Sequence, residues 1–366
     1  MKFLCGKDVI LNAVLTTAKA ASSKSAVQAL EGLLLELDNN VLTITGYNLE
    51  IGIRTEITVE NGVNGSTVIN ARMLSDIIRK MPSGSLEFDI DDGKSAKISL
   101  GATELSVMCM RADEYPPVPQ TGSDNGFSMP QKLLKSMIIQ TKYACATTDT
   151  KPALTGCLFE IKDKILNVVA VDGVRIARRQ ENLDHEDISF IVPAKTLEEL
   201  IHLLSDEEDK NVSICIDKNQ ISFEIDHFTM ISRLINGEFM EYKKHFVCDE
   251  SITAEIKCRE IIDVLDRAML FVNEKNKAPL RCEFKGDSLT ISCSSPMGKI
   301  NDKIDIKYNG EPIEIGFNVR FLLDAFRATD CDTVKMILTS KSVSPIIIVP
   351  MEGREFMSLL LPMRLK

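Results

Sequence analysis

Alternating apolar and polar residues dominate this chain, and the alternation recurs with a long period. Residues 30–54 read LEGLLLELDNNVLTITGYNLEIGIR, residues 154–178 read LTGCLFEIKDKILNVVAVDGVRIAR, and residues 280–295 read LRCEFKGDSLTISCSS. Each is a period-of-two pattern broken by a polar turn, at Asp38-Asn39-Asn40, Lys162-Asp163-Lys164 and Lys285-Gly286-Asp287, and each predicts a β-hairpin. Helical spacing precedes every hairpin. Ile10, Val14, Ala18 and Ala21 share one face, as do Leu134, Met137, Ile138 and Thr141, and Ile261, Leu265, Ala268 and Val272. Lys7, Lys19, Lys132, Lys135, Lys142, Lys257 and Arg267 fall outside those faces. A second helix follows each hairpin, carried by Leu74, Ile77, Ile78 and Met81, by Leu197, Leu200, Ile201 and Leu204, and by Leu322, Ala325, Phe326 and Thr329. A short strand opens each copy, and alternating strands such as residues 212–216 close it.

Glu36, Glu160 and Glu283 hold one place in this pattern, as do Arg72, Lys195 and Arg320, and Leu74, Leu197 and Leu322. A period of roughly 120 residues is too long for a solenoid unit and right for a domain. Three domains are expected, over residues 1–122, 127–246 and 250–366, joined through the Pro/Gly/Ser-rich stretch 116–126 and the polar stretch 243–251. Two helices against an antiparallel sheet in each copy make the fold class α+β.

Composition changes this picture little. At 366 residues and 44% hydrophobic, each third is large enough for its own core. The net charge of −10 argues against a nucleic-acid coat, but leaves room for a local basic surface on an acidic body. The ten cysteines include no C-x-x-C pair and sit mostly in apolar patterns, which reads as small buried hydrophobes in a reducing cytosol. No run approaches the ~18 apolar residues of a membrane span, and Gly6, Lys7 and Asp8 interrupt any secretory core, so a cytoplasmic chain without membrane contact is expected.

Enzyme motifs are missing. There is no phosphate-cradling, dinucleotide, zinc-protease or nucleophile-elbow signature, and the four histidines show no ligand spacing. The acidic runs at 206–209 and 89–92 read as solvated turns, and Asp172-Gly173 as a tight turn. No catalysis, cofactor or metal is expected.

Three similar domains suggest a symmetric object. A domain of this size is about 35 Å across when treated as a sphere. Three such spheres enclose a hole of only ~5 Å, whereas six enclose about 35 Å, wide enough for a duplex of roughly 20 Å. One chain cannot surround a duplex, but a two-fold dimer can. Arg72, Lys195 and Arg320 begin the second helix of their copies, so a dimer would repeat a cation six times around the hole. Such a surface meets phosphates without reading bases, as sliding requires.

Together these features resemble the bacterial sliding-clamp family, the beta subunits of DNA polymerase III. The likeness spans essentially the whole chain. It is carried by the opening Met1-Lys2-Phe3, AVDGVRIA at 170–177, Asn273-Glu274-Lys275, IGFNV at 315–319 with Leu322-Leu323-Asp324, and LPMRL at 361–365. The resemblance implies a head-to-tail homodimeric ring around double-stranded DNA. It implies tethering of the replicative polymerase catalytic subunit and other clamp-motif proteins, and an ATP-dependent loader supplied separately. It also implies a peptide pocket formed by Leu154, Val171, Gly173, Val174, Arg175, Ile176, Met240, Lys244, His245, Asn318, Val343, Leu359, Leu361, Pro362, Met363 and Arg364. A Leu/Phe-bearing peptide needs such an aliphatic trough with a few polar anchors, and Met240 and Met363 would give it adaptable edges. Family members often have proline at Met240, a small aliphatic at His245 and a polar residue at Val174, and Lys366 extends the usual ending. For DNA the resemblance points to Lys24 in the 22–25 loop and Lys151 in 147–152, with Lys195, Lys275 and Arg320 as further candidates. For the dimer seam it pairs Leu270 and Phe271 with Leu105 and Val107 of a second copy. The competing readings are a clamp-fold peptide-binding hub that does not encircle DNA, and a metal-dependent enzyme built on the acidic loops.

Overall fold

The computed structural model describes residues 1–119, 126–148, 150–247, 249–272, 278–339 and 343–365. The backbone gathers into two compact units, Met1–Leu133 with Glu198–Leu234, and Leu134–Leu197 with Ile235–Lys366. The middle copy of the repeat is therefore shared out between them.

In the first unit, helices α1 (Lys7–Thr17) and α2 (Ala71–Lys80) follow the strands Lys2–Gly6 and Gly65–Asn70. Ile10, Ala13 and Val14 of α1 and Leu74, Ile77 and Ile78 of α2 enter a core in which Phe3 stacks on Phe88 with centroids 4.6 Å apart. Each fully buried aliphatic or aromatic side chain contributes ~1.5–3 kcal/mol. The Lys7 ammonium donates to the Arg79 and Met81 carbonyls, satisfying the C-terminal end of α2. A single antiparallel sheet runs from Gly126–Pro130 through Asn211–Asp217, Gln220–Ile225 and Phe228–Arg233 to Ile51–Thr58, and on through the strands of the first copy. The join is the pairing of Met230 with Ile53 and its neighbours.

The unit boundaries fall inside helices α3 (Gln131–Lys142) and α4 (Ala194–Ile201). In the second unit, α5 (Cys258–Met269) and α6 (Val319–Arg327) pack on a core including Ile261, Leu265, Leu322, Phe326, Phe284 and Phe317. One sheet runs Ile188–Pro193, Gly156–Lys162, Ile165–Val171, Arg175–Asn182, Phe356–Leu360, Ile346–Pro350, Thr333–Leu338, Ile252–Lys257, Lys307–Tyr308. Arg175–Asn182 joins it to the C-terminal strand through pairs such as Ile176 with Leu359. A second sheet is ordered Gly298–Asp305, Ser288–Ser295, Leu280–Lys285, Ile313–Phe317.

The three hairpins turn where the polar breaks lie. Asp38 pairs with Val41, Lys162 with Ile165 and Lys285 with Ser288. Asn39, Asp163, Lys164 and Gly286 take the left-handed backbone those tight turns demand. Helix ends differ from the apolar spacing. The α1 helix stops at Thr17, whose hydroxyl bonds back to the Ala13 carbonyl at 2.8 Å. Ala18 then opens a 3₁₀ turn and Ala21 is extended. Met81 and Val272 likewise lie past the ends of α2 and α5. Seven cysteines, Cys5, Cys109, Cys145, Cys157, Cys258, Cys282 and Cys293, are buried and free, and Cys215 and Cys331 are half-buried. Burial pushes the Cys5 thiol up to about 11. Cys248, residues 120–125 of the expected first linker, and Lys366 lie outside the described residues.

Candidate functional site

In the second unit the strands Ile165–Val171 and Arg175–Asn182 are joined by a turn whose geometry the sequence dictates. Asp172 Oδ1 accepts the Val174 and Arg175 backbone N–H groups, each at 3.0 Å, and Gly173 takes φ +93°, a conformation open to glycine. Behind the turn lies a cluster of buried apolar side chains. Leu154, Val171, Ile176 and Leu359 belong to it, with Met240 packed at its edge. The sequence-derived pocket residues therefore include a contiguous floor. Its other members, among them Tyr242, Phe246, Met357, Val349 and Ile337, are missing from that sequence-derived set. Phe246 sits in the polar stretch 243–251, where the surrounding charge masks it, and the structure places it in the 3₁₀ turn Lys243–Phe246.

The C-terminal tail is tied on both sides of this cluster. Strand Phe356–Leu360 ends, Leu361 N–H donates to the Val174 carbonyl (2.9 Å), Pro362 has no N–H to offer, and Met363 N–H donates to the Gly316 carbonyl (2.8 Å). Two residues beyond Gly316, the Asn318 side chain caps α6 by accepting from Arg320 and Phe321 N–H. Val174, Val343 and Leu361 remain exposed around the rim. Lys244 and His245 are exposed on their 3₁₀ turn, Lys244 paired with Glu241 at 2.8 Å. Met363 and Arg364 also line a groove of about 640 Å³ with Arg281, Ser292 and Ile300. Arg175 is buried and ion-paired, so it does not reach the rim.

Beneath the cluster, Glu160 accepts from Tyr242 Oη (2.6 Å) and pairs with Lys243 (2.8 Å). Burial pushes the Glu160 carboxyl up, but the hydrogen bonds from Lys243 and Tyr242 with the Lys243 charge outweigh it and hold the group below the usual range. Burial, and then the same hydrogen bond, push the Tyr242 hydroxyl well up.

Among the cation candidates, Arg72, Lys195 and Arg320 are each the second residue of their helices, α2, α4 and α6, and each is exposed. Arg72 is nearly fully so, 4.0 Å from Asp76 one turn on. A helix N-terminus with an added cation favours a phosphate oxygen. Lys24 and Lys151 are exposed on loops, and Lys275 lies outside the described residues.

For the seam candidates, strand Thr103–Met110 pairs fully with Ser95–Leu100, but on its other side only Cys109 and Met110 pair, with Ile69 and Val68. Leu105 is exposed beside that edge and Val107 half-buried. Strand Gly298–Asp305 pairs only with Ser288–Ser295 among the described residues. Leu270 is 70% exposed nearby, whereas Phe271 folds onto Gly298, where a Cβ would stand 2.7 Å from its ring. No group of His, Cys, Asp or Glu among the described residues is arranged to hold a metal, and no helix among them is long and apolar enough to cross a membrane.

Family models for the DNA polymerase III beta subunit match the chain in order, the N-terminal domain at residues 1–119, the central domain at 128–241 and the C-terminal domain at 246–364. The crystal structure of a putative DNA polymerase III beta subunit from Eubacterium rectale superposes with a TM-score of 0.94 at 30% identity, over all of both chains. The chain belongs to the beta sliding clamp family. The Bacillus subtilis beta sliding clamp is 29% identical with both chains fully covered, and a crystal structure of the clamp from that species gives a TM-score of 0.94. The Halalkalibacterium halodurans clamp is 28% identical over 380 residues. As a beta sliding clamp the chain is a non-catalytic accessory subunit of DNA polymerase III, a processivity factor of DNA replication with three clamp domains.

Proposed function

We propose that two copies close head to tail into a ring around duplex DNA in the cytoplasm. The turn, cluster and tail of the second unit take short Leu/Phe-bearing peptides of the polymerase, the loader and other partners. The observation that carries the ring is the presence in one chain of two bare strand edges, Thr103–Met108 and Gly298–Asp305, each beside exposed apolar side chains. An uncovered edge templates pairing with another chain, and a closed ring satisfies both edges without an open polymer. Leu105 and Val107 of one copy would meet Leu270 and Phe271 of the next. Arg72, Lys195 and Arg320, with Lys24, Lys151 and Lys275, would face the phosphates. The domain bounds 1–122, 127–246 and 250–366 are part of this reading.

Light scattering at low micromolar concentration tests it. A mass near twice 40.7 kDa is expected. Phe271→Asp should give folded monomers that bind peptide but are not retained on closed circular DNA. A monomeric parent chain would leave the peptide-binding hub as the better reading.

A further inference from the structure

Arg175 belongs by position to the pocket turn, yet its side chain leaves the pocket. Alternation along the strand sends Ile176 into the apolar cluster and Arg175 to the opposite face. There its Nε donates to Asp172 Oδ2 (2.7 Å) and its Nη1 to Asp324 Oδ2 on α6 (2.8 Å). The guanidinium lies 4.2 Å from the Phe321 ring centroid and 5.4 Å from that of Tyr143. Tyr143 is itself fixed by a 2.7 Å hydrogen bond between its hydroxyl and that of Ser358, in the C-terminal strand. Asp172 therefore has both oxygens committed: Oδ1 shapes the turn, and Oδ2 ties the turn through Arg175 to α6.

The repeat supplies an internal control. The first copy makes the same turn with Asn48, whose Oδ1 accepts from Glu50 N–H (3.0 Å) and Ile51 N–H (2.8 Å). Ile51, 2% exposed, stands where the second copy has Arg175. The turn does not need a guanidinium to form, and replacing a buried ion pair by apolar packing often costs nothing. The desolvated arginine is kept at the turn that exposes Val174 and gives its carbonyl to Leu361.

We propose that Arg175 is a positioning residue for peptide recognition. It fixes the 171–176 turn against α6, so that Val174 and Leu361 stand as rigid walls for the incoming peptide, while Arg175 itself touches no ligand. The inference rests on the peptide-pocket reading above and adds how that site is held ready.

The test uses the full-length protein with Arg175→Met, Asp324→Asn and the double variant. Two readouts are followed: hydrogen exchange at the Val174 and Arg175 amides, and anisotropy of a fluorescein-labelled peptide ending in Leu-Phe. Each single variant should speed exchange at both amides and weaken the probe by about tenfold, the loss expected for one charged hydrogen bond. The double variant should be no weaker than either single one, with thermal midpoints close to the parent's. Loss of probe binding in Arg175→Met with no change in Asp324→Asn would make Arg175 a direct contact and overturn the proposal. Unchanged amide exchange in both variants would also overturn it. If Arg175→Met fails to fold, Asp324→Asn alone carries the same test. A parent chain that ignores the probe defeats the pocket reading, while the exchange result still judges the positioning role.

Discussion

Gly46 has no room for a methyl group. A Cβ there would stand 2.1 Å from the Thr17 carbonyl oxygen at the end of α1. Gly46→Ala should therefore cost ~1–3 kcal/mol, read as a lower urea midpoint with an unchanged slope. Glu160 makes a prediction of opposite character, in pH rather than volume. Its folded carboxyl titrates below the ordinary glutamate range, so its stabilisation is complete above the unfolded pKa and is lost as pH falls through the folded one. Glu160→Gln should lose stability less steeply than the parent between neutrality and about pH 3, measured by thermal midpoint. Neither role is legible in the sequence. Gly46 reads as one more strand residue, because the carbonyl it must avoid belongs to a distant helix. Glu160 reads as a repeat marker, because Tyr242 and Lys243 meet it only after folding. The apolar pocket floor is easier: Val171, Ile176 and Leu359 lie in alternating runs whose period names their face.

At the scale of elements, the α6 cap joins stability to the candidate site. Asn318→Ala removes the acceptor for two N–H groups and should cost ~1 kcal/mol in chemical denaturation. The tail offers a sharper check. Gly316 admits it only because it lacks a side chain, since a Cβ would lie 2.5 Å from the Met363 carbonyl oxygen and 2.7 Å from the Leu365 side chain. Gly316→Val should free residues 361–365 to carboxypeptidase while leaving strand Phe356–Leu360 protected. Hairpins are readable because a polar break between alternating runs is a local signal. Helix ends such as Ala18 and Val272 are not, since apolar spacing continues past the point where the backbone turns. The tail's last strand and its stop at Pro362 are visible, but its bond to Gly316 links residues far apart in sequence and leaves no local trace.

For the whole molecule, the threefold recurrence of Arg72, Lys195 and Arg320 predicts a graded electrostatic effect. If each meets a phosphate, changing one to Gln should flatten the salt dependence of duplex binding by up to ~0.9 in logarithmic slope for every phosphate no longer neutralised. An unchanged slope in all three would remove them from the DNA face. The repeat and the α+β class are legible because period and alternation are local properties of the chain. The division of the middle copy is not, because it depends on which strand edges meet, Ile51–Thr58 with Phe228–Arg233 and Arg175–Asn182 with Phe356–Leu360. That division has a consequence for synthesis. As the chain leaves the ribosome, strand Ile51–Thr58 has one neighbour early, in Val41–Tyr47, but its other neighbour is translated only near residue 230. The nascent N-terminal copy must carry an unpaired apolar edge through most of translation. A chain truncated at residue 119 should fold yet self-associate through that edge, so a stalled ribosome would release a sticky product where the finished chain has a closed seam.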